Sequence, residues 1–243
     1  TAFDNKSFDL LMEIGSDIVK VASGDITNIP FVRYMAQRQL PMIVSTGMAS
    51  LGEIEDVVKA ISIDEQNNQI ILLHCISWYP ADITTTNLNY INTLKSAFGY
   101  PVGYSDHTLG VNMTVAARAM GAVFFEKHFT TDSTLFGPDH AASLNPDELK
   151  VLVRGIREVE LGLGSSVRSF SSKEIGQRKV HRRSIVTKTS IEKGDKFTAE
   201  NLVIKRPGIG IVPKHWYNIL GKRAKSSLKP EKLLKWSDIE IPR

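Results

Sequence analysis

Cysteine is all but missing: Cys75 is the single one in 243 residues. One thiol excludes an internal disulfide framework and suits a reducing compartment, so a cytoplasmic protein is expected. No apolar run approaches the length needed to cross a bilayer, and no membrane partner is expected. The first residues, Thr1 to Asp4 (TAFD), hold no initiator methionine, no charged leader before an apolar stretch and no helix cap. They read neither as a natural start nor as a signal peptide, and the chain is expected to be cut or incomplete. A strong charge imbalance is missing too. The formal net charge is +4, and the basic excess sits late, from Lys173 to Arg183 and in the final segment, while the first half is close to balanced. That distribution does not make a nucleic-acid stripe, so no nucleic-acid partner is expected.

What is present begins with short apolar runs: Ile18 to Ala22 (IVKVA), Met42 to Val44, Ile70 to Leu73, Val102 to Tyr104 and Ala122 to Phe125. Each reads as a buried strand. Between them lie stretches with apolar residues at helical spacing, such as Leu51 to Ile61 and Val111 to Met120, and the strand starts fall roughly 20 to 30 residues apart, as βα units require. Such strands argue for a parallel sheet covered by helices, open or closed into a barrel. The strand ends favour the barrel, because polar or small residues follow every one: Ser23-Gly24-Asp25, Ser45-Thr46-Gly47, His74 to Ser77, Ser105-Asp106-His107 and Lys127 to Thr130. In a (β/α)8 barrel these ends converge at the rim that carries active sites. Five strands correspond to about five of eight βα units, with about three expected upstream of Thr1.

The barrel part is expected over residues 1–163, closing with a helix from Pro146 to Leu163. Residues 164–180, rich in Ser, Gly and charge, read as a linker. Residues 181–243 change to short apolar pieces with turns, as in Ser184 to Thr187, Ile191 to Asp195 and Leu202 to Lys205. They read as a second small domain whose own core is marginal and which is expected to dock on the barrel or on a partner chain.

His107 and His128 follow consecutive strands, so their imidazoles can face one point across the barrel mouth and hold a divalent metal. The plainer alternative is that each caps a strand, and His74 and His140 compete for the ligand role. Lys20, Ser23, Ser45, Thr46, Ser77 and Ser105, with amides freed by Gly24 and Gly47, offer donors for a phosphate. An amine in the middle of an apolar strand is costly to bury unless it meets an anion, so Lys20 is either an anion ligand or an edge lysine reaching solvent. Asp25, Asp106, Glu126 and Asp139 are acids near the same rim, available for a metal, a sugar hydroxyl or a proton, or for a salt bridge or helix cap. Glu126 has Lys20 and Lys127 as candidate partners. Arg206, on the turn Lys205-Arg206-Pro207-Gly208, is forked for carboxylate or hydroxyl recognition, although most exposed arginines do nothing specific.

Seven segments in order carry a resemblance to a known family: Lys20 to Asn28 (KVASGDITN), Ser45 to Met48 (STGM), Leu73 to Pro80 (LHCISWYP), Gly103 to Thr108 (GYSDHT), Glu126 to Thr130 (EKHFT), Gly137 to Ser143 (GPDHAAS) and Lys205 to Gly208 (KRPG). Together they resemble the sialic acid synthases, along nearly the whole chain. The resemblance implies a (β/α)8 barrel followed by a small antifreeze-like (SAF) domain. It also implies condensation of phosphoenolpyruvate with an N-acylated aldose such as N-acetylmannosamine, with release of phosphate. On it, His107 and His128 hold Mn2+ or Mg2+; Lys20, Ser23, Ser45, Ser77 and Ser105 grip phosphoenolpyruvate; and Asp25, Tyr79 and Asp139 contact the acyl sugar or a metal-bound water. Arg206 matches an arginine that reads the sugar's acyl group from the antifreeze-like domain of a domain-swapped homodimer. Two departures stand out. The family's first strands, with a catalytic glutamate and a further phosphate-binding lysine, have no counterpart here, which leaves a non-catalytic sugar-binding remnant as the alternative. Asp25 stands where relatives often carry glutamate and Ser77 where some carry asparagine, so the choice of acyl sugar stays open.

Overall fold

Short apolar runs whose side chains point alternately to two faces build the strands, and apolar residues with a period near 3.6 build the helices that cover them. A computed structural model of the chain describes residues 1–62 and 69–240, and these fall into two compact units that divide between Gly164 and Ser165. The first unit runs α1 (Asn5–Glu13), β1 (Val19–Val21), α2 (Ile29–Ala36), β2 (Met42–Ser45), α3 (Leu51–Ile61), β3 (Ile70–Cys75), α4 (Tyr90–Phe98), β4 (Val102–Asp106), α5 (Asn112–Ala119), β5 (Phe125–Lys127) and α6 (Pro146–Leu163). Local chemistry sets several of these bounds. Ser50 and Glu53 form a reciprocal capping box at the start of α3, and Asn145 and Glu148 do the same for α6, whose first residue is proline. Helix α4 ends on Gly99 in the left-handed region, at φ +70°.

The five strands are all parallel and paired in chain order, β1-β2-β3-β4-β5. Right-handed crossovers that always step to the next strand in the same direction put every helix on one side of the sheet. A doubly wound sheet would instead reverse its order partway. Val19, Val21, Met42, Val44, Ile70, Leu72, Val102 and Tyr104 form the covered face and share one core with Phe31, Val32, Ile54, Val57, Ile91 and Leu94 from the helices. The alternate positions, Lys20, Ser45, Cys75, Ser105 and Glu126, point to the other face. There Lys20 of β1 and Glu126 of β5, the two outermost strands, form an ion pair of 3.3 Å. Four strand spacings in a flat sheet amount to roughly 19 Å, more than these two side chains can cross, so the sheet is curled into a half-barrel with its helix-free face inside.

Three expectations need correction. The fifth strand, expected over Ala122 to Phe125, is Phe125–Lys127. Gly121 at φ +88° turns the chain out of α5, the Val123 amide donates to the Val102 carbonyl and the Tyr104 amide to the Phe124 carbonyl, and the ladder then extends into Glu126 and Lys127 because both find partners of opposite charge. The first four residues do contain a helix cap, since the Asp4 carboxylate accepts the Ser7 amide at the start of α1. The stretch expected as a linker, 164–180, holds all but the last residue of helix α7 (Ser172–His181), capped by Ser171.

In the second unit, α7 is followed by β6 (Ser184–Thr187), β7 (Leu202–Lys205) and the single turn α8 (Trp216–Ile219). The two strands are antiparallel, with Ile185 opposite Ile204. Isolated bridges such as Ile191 to Leu228 and Lys196 to Arg223 fold the rest around a core of Ile185, Phe197, Leu202, Ile211, Ile219 and Leu234. No helix among the described residues is long and apolar enough to cross a membrane.

Candidate active site

His107 is the first residue after β4 and His128 the first after β5, so the strand alternation that turns Asp106 and Lys127 outward turns both imidazoles inward. Their ring centroids are 5.2 Å apart and the planes nearly perpendicular, at 82°. The Tyr79 ring lies 4.1 Å from His107 and 5.3 Å from His128, and Asp139 brings a carboxylate oxygen to 3.9 Å from His128 Nδ1. His107 Nδ1 sits 2.8 Å from the Ile76 carbonyl. A carbonyl only accepts, so Nδ1 carries the proton, and in the neutral ring Nε2 keeps its lone pair.

The pKa values of the two rings are shifted in opposite directions. Burial draws His107 towards its neutral form, but its contacts with the Cys75 sulfur and the Ile76 carbonyl outweigh burial and raise its pKa. Burial, and then the positive form of His107 close by, lower that of His128. Cys75, half-way between the rings and the hydroxyls, has its thiol pKa pushed up by burial and pulled down further by His107, Ser23 and Ser77, for a net lowering.

Beside the imidazoles is a cluster of small donors. Cys75 Sγ is 3.7 Å from Ser23 Oγ, 3.8 Å from Ser77 Oγ and 3.8 Å from His107 Nδ1. The Gly47 amide donates to Ser23 Oγ over 3.1 Å, so this amide, expected to be free for a ligand, already has an acceptor. What Gly47 contributes is space: a Cβ there would stand 2.2 Å from Ser77 Oγ, 2.8 Å from Ser23 Oγ and 3.1 Å from Cys75 Sγ. On the same inner face Ser105 Oγ donates to Glu126 Oε1 over 2.9 Å, and Glu126 is the anion that Lys20 meets. Ser45 is buried two strands away at the end of β2.

Other expected residues lie elsewhere. His74 faces the helices: its Nε2 donates to the Thr86 carbonyl over 2.6 Å, and its ring packs on Tyr90 and Tyr104. His140 Nδ1 is held by Thr130 Oγ1 at 2.7 Å. Neither competes for the point between His107 and His128. Asp25 is partly exposed in the turn after β1, where Asn28 Nδ2 donates to it over 3.4 Å. Asp106 pairs with Lys127 on the outer face. Arg206 is exposed at the end of β7, on a turn fixed by Gly208 donating to the Lys179 carbonyl and Ser184 Oγ donating to the Pro207 carbonyl.

Among the described residues, no three His, Cys, Asp or Glu side chains gather closely enough to enclose a metal. Two imidazoles of fixed orientation with open positions beside them fit a cation that also takes oxygen ligands from water or substrate, as catalytic sites do, and do not fit a closed structural site. Sequence reading took Cys75 only as a sign of redox compartment and missed it as the centre of this cluster. Its place two residues after the inward-facing Leu73 of β3 was the available signal.

Comparison with known proteins agrees with this architecture. The profile of the NeuB family matches residues 1–168, and that of the SAF domain matches residues 182–240. The N,N'-diacetyllegionaminic acid synthase of Legionella pneumophila is 43% identical over 243 residues, covering 99% of this chain and 68% of that protein. Among solved structures, the spore coat polysaccharide biosynthesis protein SpsE of Bacillus subtilis is 34% identical with a TM-score of 0.64, covering 100% of this chain and 73% of that one. The N-acetylneuraminic acid synthetase of Leptospira borgpetersenii is 39% identical with a TM-score of 0.67, covering 72% of this chain and 61% of that one.

Proposed function

The chain belongs to the NeuB family, and on that premise we propose that its inner rim serves the condensation of phosphoenolpyruvate with an N-acylated amino sugar, releasing phosphate and forming a nonulosonic acid. The observation that carries this reading is the pair of imidazoles 5.2 Å apart beside the hydroxyls of Ser23 and Ser77. In this reading His107 and His128 hold Mn2+ or Mg2+, which when bound supplies Lewis acidity to the sugar's aldehyde oxygen. Ile76 fixes the tautomer that leaves His107 Nε2 able to ligate, and burial keeps His128 neutral for the same task.

Ser23, Ser45, Ser77 and Ser105 present hydroxyls to the phosphate and carboxylate of phosphoenolpyruvate. Lys20 gives the same substrate a positive charge, for which Glu126 is its counter-ion in the free protein. An incoming polyanion would compete with Glu126 for Lys20, leaving the Glu126 carboxylate beside Ser105 as an acceptor for a proton on the inner face. Tyr79 over both rings, Asp139 beside His128 and Asp25 at the rim contact the acyl sugar. Arg206 reads its acyl group from the second unit of a domain-swapped homodimer.

The test is phosphate release from phosphoenolpyruvate with a panel of N-acyl hexosamines, N-acetylmannosamine included, with and without Mn2+. Release that depends on both sugar and Mn2+ is expected. Release indifferent to the sugar, or no release with any of them, overturns the reading.

A further inference from the structure

Directly behind the two imidazoles lies a buried ion pair that the chemistry above does not use. Asp106 and Lys127 are the last residues of β4 and β5, stand opposite each other in the ladder, and meet at 3.0 Å with side chains 0% and 5% exposed. Their remaining contacts go to the chain around His107. Asp106 Oδ1 accepts both the amide and the hydroxyl of Thr108, each at 2.8 Å. Asp106 Oδ2 accepts the Thr114 hydroxyl of α5 at 2.6 Å, and the Lys127 ammonium donates to the Thr108 carbonyl. The residues on both sides of His107 are thus tied to the residue that precedes His128.

Stability alone explains this poorly. Removing two charges from water is expensive, and replacing a buried pair by apolar residues of similar volume is often neutral or stabilising. The position is informative instead. The β4–β5 ladder ends at this pair, and the next residue on each strand is an imidazole, at the point where strands would otherwise fray apart. A cross-strand charge pair with four further hydrogen bonds to residues 106–108 removes that freedom.

We propose that Asp106 and Lys127 are positioning residues that hold His107 and His128 at the separation and angle needed to face one cation. The functional meaning rests on the reading of those histidines as ligands; the geometric claim does not. The probe is Mn2+ alone, its affinity measured by electron paramagnetic resonance, together with crystal structures of Lys127→Met and of the double variant Asp106→Leu/Lys127→Met. The double variant leaves no unpaired charge and keeps the fold testable if the single variant unfolds. In both, the rings are expected to leave the 5.2 Å, 82° arrangement, with Mn2+ affinity reduced roughly tenfold to a hundredfold, as for other residues that orient metal ligands. A folded variant that keeps both ring geometry and affinity overturns the proposal, and so does failure of both variants to fold, which would make the pair a stability element. If the unaltered protein takes up no Mn2+, or His107→Ala leaves its uptake intact, the cation reading fails instead, and ring geometry in the variants alone decides the positioning role.

Discussion

On the helix-facing side of the parallel sheet, Val21, Val44, Leu72 and Tyr104 are at most 1% exposed, and on the inner side Ser45 and Ser105 of the same strands are at most 2% exposed. At these positions equal burial comes with opposite chemistry. The outer face gains free energy from every apolar group it removes from water. The inner face buries hydroxyls and partly buries an amine and a carboxylate, which gain little net, and contacts such as Ser105 to Glu126 and Glu126 to Lys20 keep them tolerable. A sheet that carries such groups where valines would fit has given up stability on one face to keep polar groups there.

The sharpest way to break this comparison is to alter one face and look for the signature of the other. His107→Ala is expected to bring Mn2+-stimulated phosphate release to background while leaving the urea unfolding midpoint nearly in place. Unchanged turnover would remove His107 from the reaction. On the outer face, Leu72→Ala is expected to cost roughly 2–5 kcal/mol of stability through lost burial and a residual cavity, with turnover per folded molecule preserved; a selective loss of turnover would mean that the two faces are not separable.

Next in size is Gly47→Ala, which belongs to the inner face but removes no polar group. Its Cβ would fall 2.2 Å from Ser77 Oγ and 2.8 Å from Ser23 Oγ, so both hydroxyls must move. A rise in KM for phosphoenolpyruvate of about tenfold, equivalent to about 1.4 kcal/mol, is expected, with the KM for the sugar little changed. A selective effect on the sugar would assign the hydroxyl pair to the other substrate.

How far the sequence reveals these faces depends on the kind of signal. The runs at Met42, Ile70 and Val102 announce strands because several apolar residues stand together, and Ser184 to Thr187 and Leu202 to Lys205 match β6 and β7 residue for residue. The fifth strand is misplaced because β5 reads Phe-Glu-Lys: its charges are balanced by Lys20 and Asp106, which are more than 20 residues away in the chain and close only after folding. The same long-range pairing hides the role of Cys75, whose neighbours come from β1, β3 and β4 ends. Asp4 as a helix cap and α7 inside a stretch rich in serine and charge are hard to read from sequence because Ser and Asp serve equally as loop residues and as the caps that start helices. His107 and His128 are legible as a pair because their signal is local: each directly follows a strand.

The smallest expected effect concerns His74, the one histidine that sits on the apolar side. Burial holds its pKa below the ordinary value, offset in part by its bond to the Thr86 carbonyl. In the unfolded chain the ring protonates near pH 6.5, while the folded protein resists the proton, so the unfolded state binds more protons as pH falls. His74 therefore contributes its full stability above about pH 6.5 and loses it progressively below, at no more than about 1.4 kcal/mol per pH unit. His74→Gln keeps a donor for Thr86 but has nothing to titrate. Urea unfolding at pH 7.5 and pH 5.5 is expected to show the variant losing less stability on acidification than the unaltered protein. Equal losses would mean that the outer face accepts a charged imidazole, and the contrast between the two sides of the sheet would then rest on side-chain size more than on polarity.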